Sequence, residues 1–338
     1  MALPVVFFVA VMAVRTAPFP INEAGLARLA PPPPAYTFNS RDPAVHRAAE
    51  LLNVSRPAQA LQQLQAALPR HPRDSKVLLL AGLAAYRADD VATALGYWKQ
   101  SLDLAPNQAL DEIYQDALRE AAADRNTDKL FGDHIALRFE NGTVSRQLAS
   151  AILITLDDAF ARVSSQLGCT SDEPIPAIVR SRESYLRITN AADWSGGQYD
   201  GRVEIAWPNG EGIDPQIQRA LTHELVHACL MSIPSGAAPW PAWLQEGLAQ
   251  KLSGDTLDPV VLDTLRQLAA SHAVPRLEDL GEDWSSMSKQ KATAAYDLAL
   301  AAADTLYESY SVRGIHGLLA NPGLLPAITS ALDAQLGL

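Results

Sequence analysis

The sequence predicts an α+β chain in which an all-helical module precedes a domain of mixed strands and helices. Three observations carry this expectation. Between about residues 41 and 108 small and apolar residues recur with a period of 34, the mark of stacked helical units. From residue 133 apolar residues alternate, as in a half-buried strand, and from residue 145 they return at helical spacing. With 338 residues, 48% of them hydrophobic and 19% charged, the chain has material for two or three domains and an ordered core.

The chain opens with "MALPVVFFVAVMAVRTAPFP", apolar from Ala2 to Val14 with no charge until Arg15. Thirteen residues span about 20 Å as a helix, short for a bilayer and suited to a signal-peptide core. Residues 1–20 therefore predict export to a periplasmic or extracellular compartment, with a membrane tether as the outcome if the segment stays attached. The stretch lacks a basic start, and a buried N-terminal helix is the other reading. Residues 21–40 follow as a linker, in which "RLAPPPPAYTF" (28–38) favours extended polyproline II.

The helical module is expected over 41–125. "PAQALQQLQAALPRHP" (57–72) aligns without a gap on "VATALGYWKQSLDLAP" (91–106), pairing Ala60 with Ala94, Leu64 with Trp98 and Pro72 with Pro106. Small alanines let helices approach, a large residue fills the groove and proline ends the second helix. This looks like the tetratricopeptide repeat. Two repeats bury little surface, so "QALDEIYQDALREAAA" (108–123) is expected to pack on their end as a cap. Such a module either binds a peptide or partner protein or serves as a rigid, separable spacer.

The second domain, 130–330, begins with "DHIALRFEN" (133–141), where Ile135, Leu137 and Phe139 alternate. Asn141-Gly142 turns the chain into a helix over 145–168, and "IPAIVRS" (175–181) returns to strand. "GGQYDGRVEIAWP" (196–208) holds Asp200-Gly201 between extended segments, a hairpin signal. Gly196 and Gly197 either permit close approach of a substrate backbone at a sheet edge or only shape a turn. Residues 258–338 read as helices joined by polar turns.

"ALTHELVHACL" (220–230) sits in a helix punctuated by Asp214 as cap and Pro215 at its first position. His223 and His227, four apart, share a helix face and can aim at one point. Eighteen residues after His227, "PAWLQEGLAQKLSG" (241–254) supplies Glu246 on a second helix, reached through the reversing loop "SIPSGAAPW" (232–240). Two imidazoles and a carboxylate make a His₂Glu set, which holds one zinc ion per chain and leaves a corner for water. Trp240 and Trp243 beside it are expected as core anchors.

His223-Glu224-x-x-His227 followed by Glu246 resembles the gluzincin metallopeptidases, and "WLQEGLAQ" brings the likeness to the peptidase MA-like family, which often carries tetratricopeptide repeats. The resemblance covers roughly 130–325 and implies a zincin-like fold, with a mixed sheet over the HExxH helix and a helical lower half. It implies a zinc peptidase acting on a peptide or protein substrate, with Glu224 as general base because it reaches a coordinated water but not the coordination shell. Gluzincins often take their oxyanion donor from the downstream helices. Among Tyr296, Tyr307 and Tyr310 the resemblance favours Tyr296, although core packing accounts for any of them. Where thermolysin-like enzymes carry an Asp after the ligand glutamate to orient a histidine, this chain has Gln250. A different class also fits: an interaction scaffold with an idle zincin domain.

The formal charge of −11 argues against a nucleic-acid partner. Cys169 and Cys229 show no paired spacing, and two buried thiols are favoured over a bridge.

Overall fold

The computed structural model describes residues 40–338 apart from 190, 192–195, 209, 211, 235–239, 272, 273, 282, 283, 285, 286 and 288. The apolar opening segment and the proline-rich linker lie outside the described residues, as does the middle of the reversing loop. Among the described residues no helix is long and apolar enough to cross a membrane.

The fold is α+β. Five helices come first: α1 (Pro43–Asn53), α2 (Pro57–Ala67), α3 (Ser75–Arg87), α4 (Val91–Leu104) and α5 (Gln108–Ala123). Their starts follow local chemistry, since Asp42, Asp74, Asp90 and Asn107 each accept from amides of the first turn. The 34-residue pairing holds as two helical hairpins, with Ala60, Leu64, Ala94 and Trp98 buried between them. Gly82 is required by that packing, because a Cβ there would lie 2.2 Å from the Trp98 ring. The Trp98 indole donates to Leu79 O at 3.2 Å.

Five strands follow, interleaved with helices: β1 (Thr127–Phe131), β2 (Ile135–Glu140), α6 (Arg146–Leu167), β3 (Ile175–Ser181), α7 (Arg182–Thr189), β4 (Gly197–Tyr199) and β5 (Val203–Trp207). They form one mixed sheet in the order β1-β2-β3-β5-β4, with β2, β3 and β5 parallel and both outer strands antiparallel. The expected hairpin forms between β4 and β5, with Gly201 at φ +104° in its turn. Strand β1 and helix α7 are not anticipated by the sequence pattern. "TDKLF" is too polar to alternate, and α7 is two turns long.

The remaining helices are α8 (Pro215–Ser232), α9 (Ala242–Ser253), α10 (Pro259–Ala270), α11 (Lys289–Ser309), α12 (Val312–Leu319) and α13 (Leu325–Leu336). Alternation gives the sheet two unlike faces. Ile135, Leu137, Phe139, Val179, Val203 and Ile205 face α6 and α8 in one continuous core. The opposite face carries Arg138, Arg180 and Glu204, all buried beneath the helical module.

The module is therefore more than tethered. Glu120 on α5, fully buried, accepts from Arg138 at 2.8 Å, Arg180 at 2.7 Å and Arg202 at 2.9 Å. Asp89, in the turn after α3, accepts from Arg138 at 2.6 Å and pairs with Lys129 at 2.7 Å. Glu173 caps α2 from the other domain, accepting from the amides of Ala58 and Gln59 at 2.7 and 2.8 Å.

One expectation is overturned. Cys169 and Cys229 are bridged, with Cα atoms 5.5 Å apart, rather than two buried thiols. Gly168 ends α6 in the left-handed conformation and turns Cys169 toward α8, a meeting across 60 residues that burial preference cannot foresee.

Candidate metal centre

Helix α8 starts as its residues dictate, with Asp214 accepting from Ile217 N at 2.8 Å and Pro215 at the first position. Its buried face carries Leu221, Leu225 and Ala228 into the core, which leaves His223 and His227 on the flank turned toward α9. The imidazole centroids lie 5.1 Å apart. Trp240 brings the chain back, its indole donating to Leu230 O at 3.0 Å while its own carbonyl accepts from Gln245 at 2.7 Å. Trp240 and Trp243 are both buried, as expected of core anchors.

Helix α9 then presents Glu246. One carboxylate oxygen lies 3.1 Å from His223 Nε2 and the other 3.6 Å from His227 Nε2. All three side chains offer ligand atoms within 4.8 Å of one another. Zinc bonds of about 2.0–2.1 Å at tetrahedral angles put ligand atoms about 3.3 Å apart. The two separations, measured to different oxygens of the one carboxylate, lie near that edge, and two imidazole nitrogens with one carboxylate are a catalytic zinc donor set. The residues fit the ion.

Gly247, next to the ligand glutamate, is fixed by packing. A Cβ there would lie 2.3 Å from Ala299 O on α11, so its absence lets α9 close on α11. Gln250 extends the same contact, donating to Tyr296 O at 2.9 Å and to Glu246 O at 3.3 Å. It ties helices together and is not bonded to an imidazole.

Burial works against charge on both histidines, with different outcomes. At His223 the hydrogen-bonded Glu246 carboxylate outweighs burial and holds the imidazolium up to about 9. At His227 burial prevails and lowers the value to about 4. Burial opposes the charge of Glu246 also, yet the two imidazoles keep it below the ordinary carboxylate range. Glu224, on the adjoining face of α8, is pushed up to about 7 by burial.

Strand β4 passes directly over Glu224. A Cβ at Gly197 would fall 2.8 Å from Glu224 Oε1 and 2.9 Å from Glu204 O, so only glycine allows this approach. On α11, burial raises the Tyr296 hydroxyl, and the carboxylates of Glu246 and Glu224 add to the rise. It stays a proton donor across the ordinary pH range. Burial raises Tyr307 and Tyr310 as well. Trp284 meets the Tyr296 ring edge-on at 5.2 Å between centroids, a contact that no sequence signal indicates.

No protein-family model matches the chain, and no curated protein matches it.

Proposed function

We propose that the chain is an exported zinc-dependent peptidase of the gluzincin, peptidase MA-like type, with tetratricopeptide-like repeats at its N-terminal side. What supports the reading above all is the convergence of His223 Nε2, His227 Nε2 and the Glu246 carboxylate at 3.1 and 3.6 Å, with Glu224 buried beside them. The Cys169–Cys229 bridge supports export, since such bonds persist in oxidising compartments.

His223, His227 and Glu246 would hold the ion. Zinc, when bound, lowers the pKa of a coordinated water toward neutrality and polarises a carbonyl oxygen. Glu224 takes a proton from the attacking water as its oxygen joins the scissile carbonyl carbon. The same proton then passes to the leaving nitrogen as the C–N bond breaks, so water is added across the peptide bond. Tyr296 donates a hydrogen bond to the oxygen on which charge develops. Edge strand β4 takes the substrate backbone by strand addition, Gly197 leaving room above Glu224.

The test is metal content and turnover on one preparation. Elemental analysis is expected to find about one zinc per chain, lost in His223→Ala. Glu224→Gln is expected to keep the zinc and to cut hydrolysis of a peptide library by about 10²–10⁴-fold. A zinc-free wild type, or undiminished turnover in Glu224→Gln, removes the assignment.

A further inference from the structure

The two non-glycine residues with left-handed backbone among those described are Ser55 (φ 53°) and Asp89 (φ 60°). They are 34 positions apart, one repeat period, each in the turn between the two helices of a repeat. Such backbone is sparsely populated by L-residues and persists where surroundings hold it. Both turns meet the second domain. Ser55 Oγ lies 3.3 Å from the Tyr199 hydroxyl of β4, and Asp89 binds Arg138 of β2.

The second turn reaches the β4–β5 hairpin through its neighbours. The Tyr86 ring lies under the Arg202 guanidinium, 3.7 Å from Cζ to the ring centroid. The Arg87 stem fills the space over Gly201, where a Cβ would be 2.7 Å from its Cγ. Arg202 is also pinned by Glu120. The hairpin is thus held by four residues of the helical module, Ser55 through the inner-face Tyr199 side chain, and Tyr86, Arg87 and Glu120 through Gly201 and Arg202 at its turn.

On its inner side the same strand bears on the centre. Gly197 and Tyr199, two apart, share one face. One packs on Glu224 and the other reaches Ser55. Three residues of β4 paired to a single strand make a marginal element by themselves. Its position over Glu224 is therefore set by what grips its ends.

We infer that the turn edge of the helical module is a positioning element of the candidate metal centre, in which Ser55, Tyr86 and Arg87 hold strand β4 in register over Glu224. The module is then part of what shapes the centre rather than an appended adaptor. Only the kinetic arm below rests on the peptidase reading.

The test uses full-length protein with Ser55→Gly, Arg87→Ala and Tyr86→Leu. Glycine at 55 accepts the positive φ while removing the hydroxyl. By hydrogen-exchange mass spectrometry, peptides spanning 196–205 should exchange about tenfold faster in Tyr86→Leu and severalfold faster in the other two. Peptides of α8 and the zinc content should stay as in wild type. On the best-cleaved member of a quenched-fluorescence peptide library, KM should rise about tenfold with kcat within twofold, whereas partial unfolding would lower apparent kcat and leave KM. Wild-type protection at 196–205 in all three variants overturns the inference, whether or not the protein cleaves peptides. If Tyr86→Leu loosens the whole molecule, Ser55→Gly and Arg87→Ala decide by the same peptides. Faster hairpin exchange with no hydrolysis by wild type upholds the positioning and removes the peptidase reading alone.

Discussion

Replacing Glu120 with Gln should be among the most damaging single substitutions outside the metal centre. Its carboxylate is fully buried and accepts from three guanidinium groups, including both Nη atoms of Arg202 at 2.9 and 3.2 Å. Gln keeps the volume, removes the charge and turns an amide N–H₂ toward groups that can only donate. Breaking a buried pair by removing one partner costs about 3–5 kcal/mol, because the remaining charge stays buried and unpaired. With a urea m-value of about 2–3 kcal/mol/M, the midpoint at pH 7 should fall by about 1–2.5 M. Acid should abolish the difference. Burial opposes ionisation of Glu120, but the three arginines outweigh it and hold the carboxyl below its ordinary value. A depressed acid stabilises the fold above its unfolded pKa and loses that contribution as pH falls through the folded one. Wild type and Glu120→Gln should therefore begin to converge as pH drops below about 4 and meet as it falls through about 2. A loss below about 1 kcal/mol at pH 7, the range of exposed ion pairs, would refute the reasoning by showing that water already screens the cluster.

Around Glu120 five carboxylates (Asp89, Glu120, Asp124, Asp200, Glu204) face four cations (Lys129, Arg138, Arg180, Arg202), and the surplus falls on Glu204, whose Oε2 has no partner. Burial pushes Glu204 up to about 7, so its contribution is full below the ordinary carboxylate range and is lost as pH rises through 7. Glu204→Gln should thus stabilise by about 1 kcal/mol at pH 8 and not at pH 5, read from paired urea curves. Cys169→Ser with Cys229→Ser opens a 60-residue loop and should cost about 2–4 kcal/mol in the same assay, a loss that reductant should reproduce in wild type alone. Gly197→Ala should lower kcat/KM at least about tenfold with zinc content unchanged, since its Cβ would meet the Glu224 carboxylate; undiminished turnover would place substrate elsewhere.

What was legible in the sequence was chemically local. Asp214 caps the helix it precedes, Asp200-Gly201 turns the hairpin, and the i, i+4 spacing of His223 and His227 aims both rings one way. Glu246 was within reach because a single reversing loop separates it from the motif helix. The order of the sheet was not legible, since the parallel pairing of β2, β3 and β5 depends on which strands the crossovers place side by side. Nor was the bridge, because neither cysteine has a local partner. Tyr296 came only from resemblance. Its spacing in the chain says nothing about the centre, and α11 reaches it through the Gly247 contact.

The arginines show why the larger omission was unavoidable. In "IALRFE" Ile135, Leu137 and Phe139 point one way and Arg138 the other, which is the pattern of a strand with one wet face. Arg180 and Arg202 read the same way. Their shared partner Glu120 lies 18 to 82 residues away, on a helix whose own pattern looks complete without a sheet. A sheet face bearing three arginines under a helical layer is unfavourable unless carboxylates arrive in matching positions, as Glu120, Asp89 and Asp124 do. An apolar interface of equal area would hold the module as firmly, but it would tolerate sliding. Forked guanidinium-carboxylate bonds are directional and would be broken by a shift of one residue. The ionic layer therefore selects a single orientation of module on sheet, and a single orientation is what a short edge strand needs if its place above a buried carboxylate is set from outside.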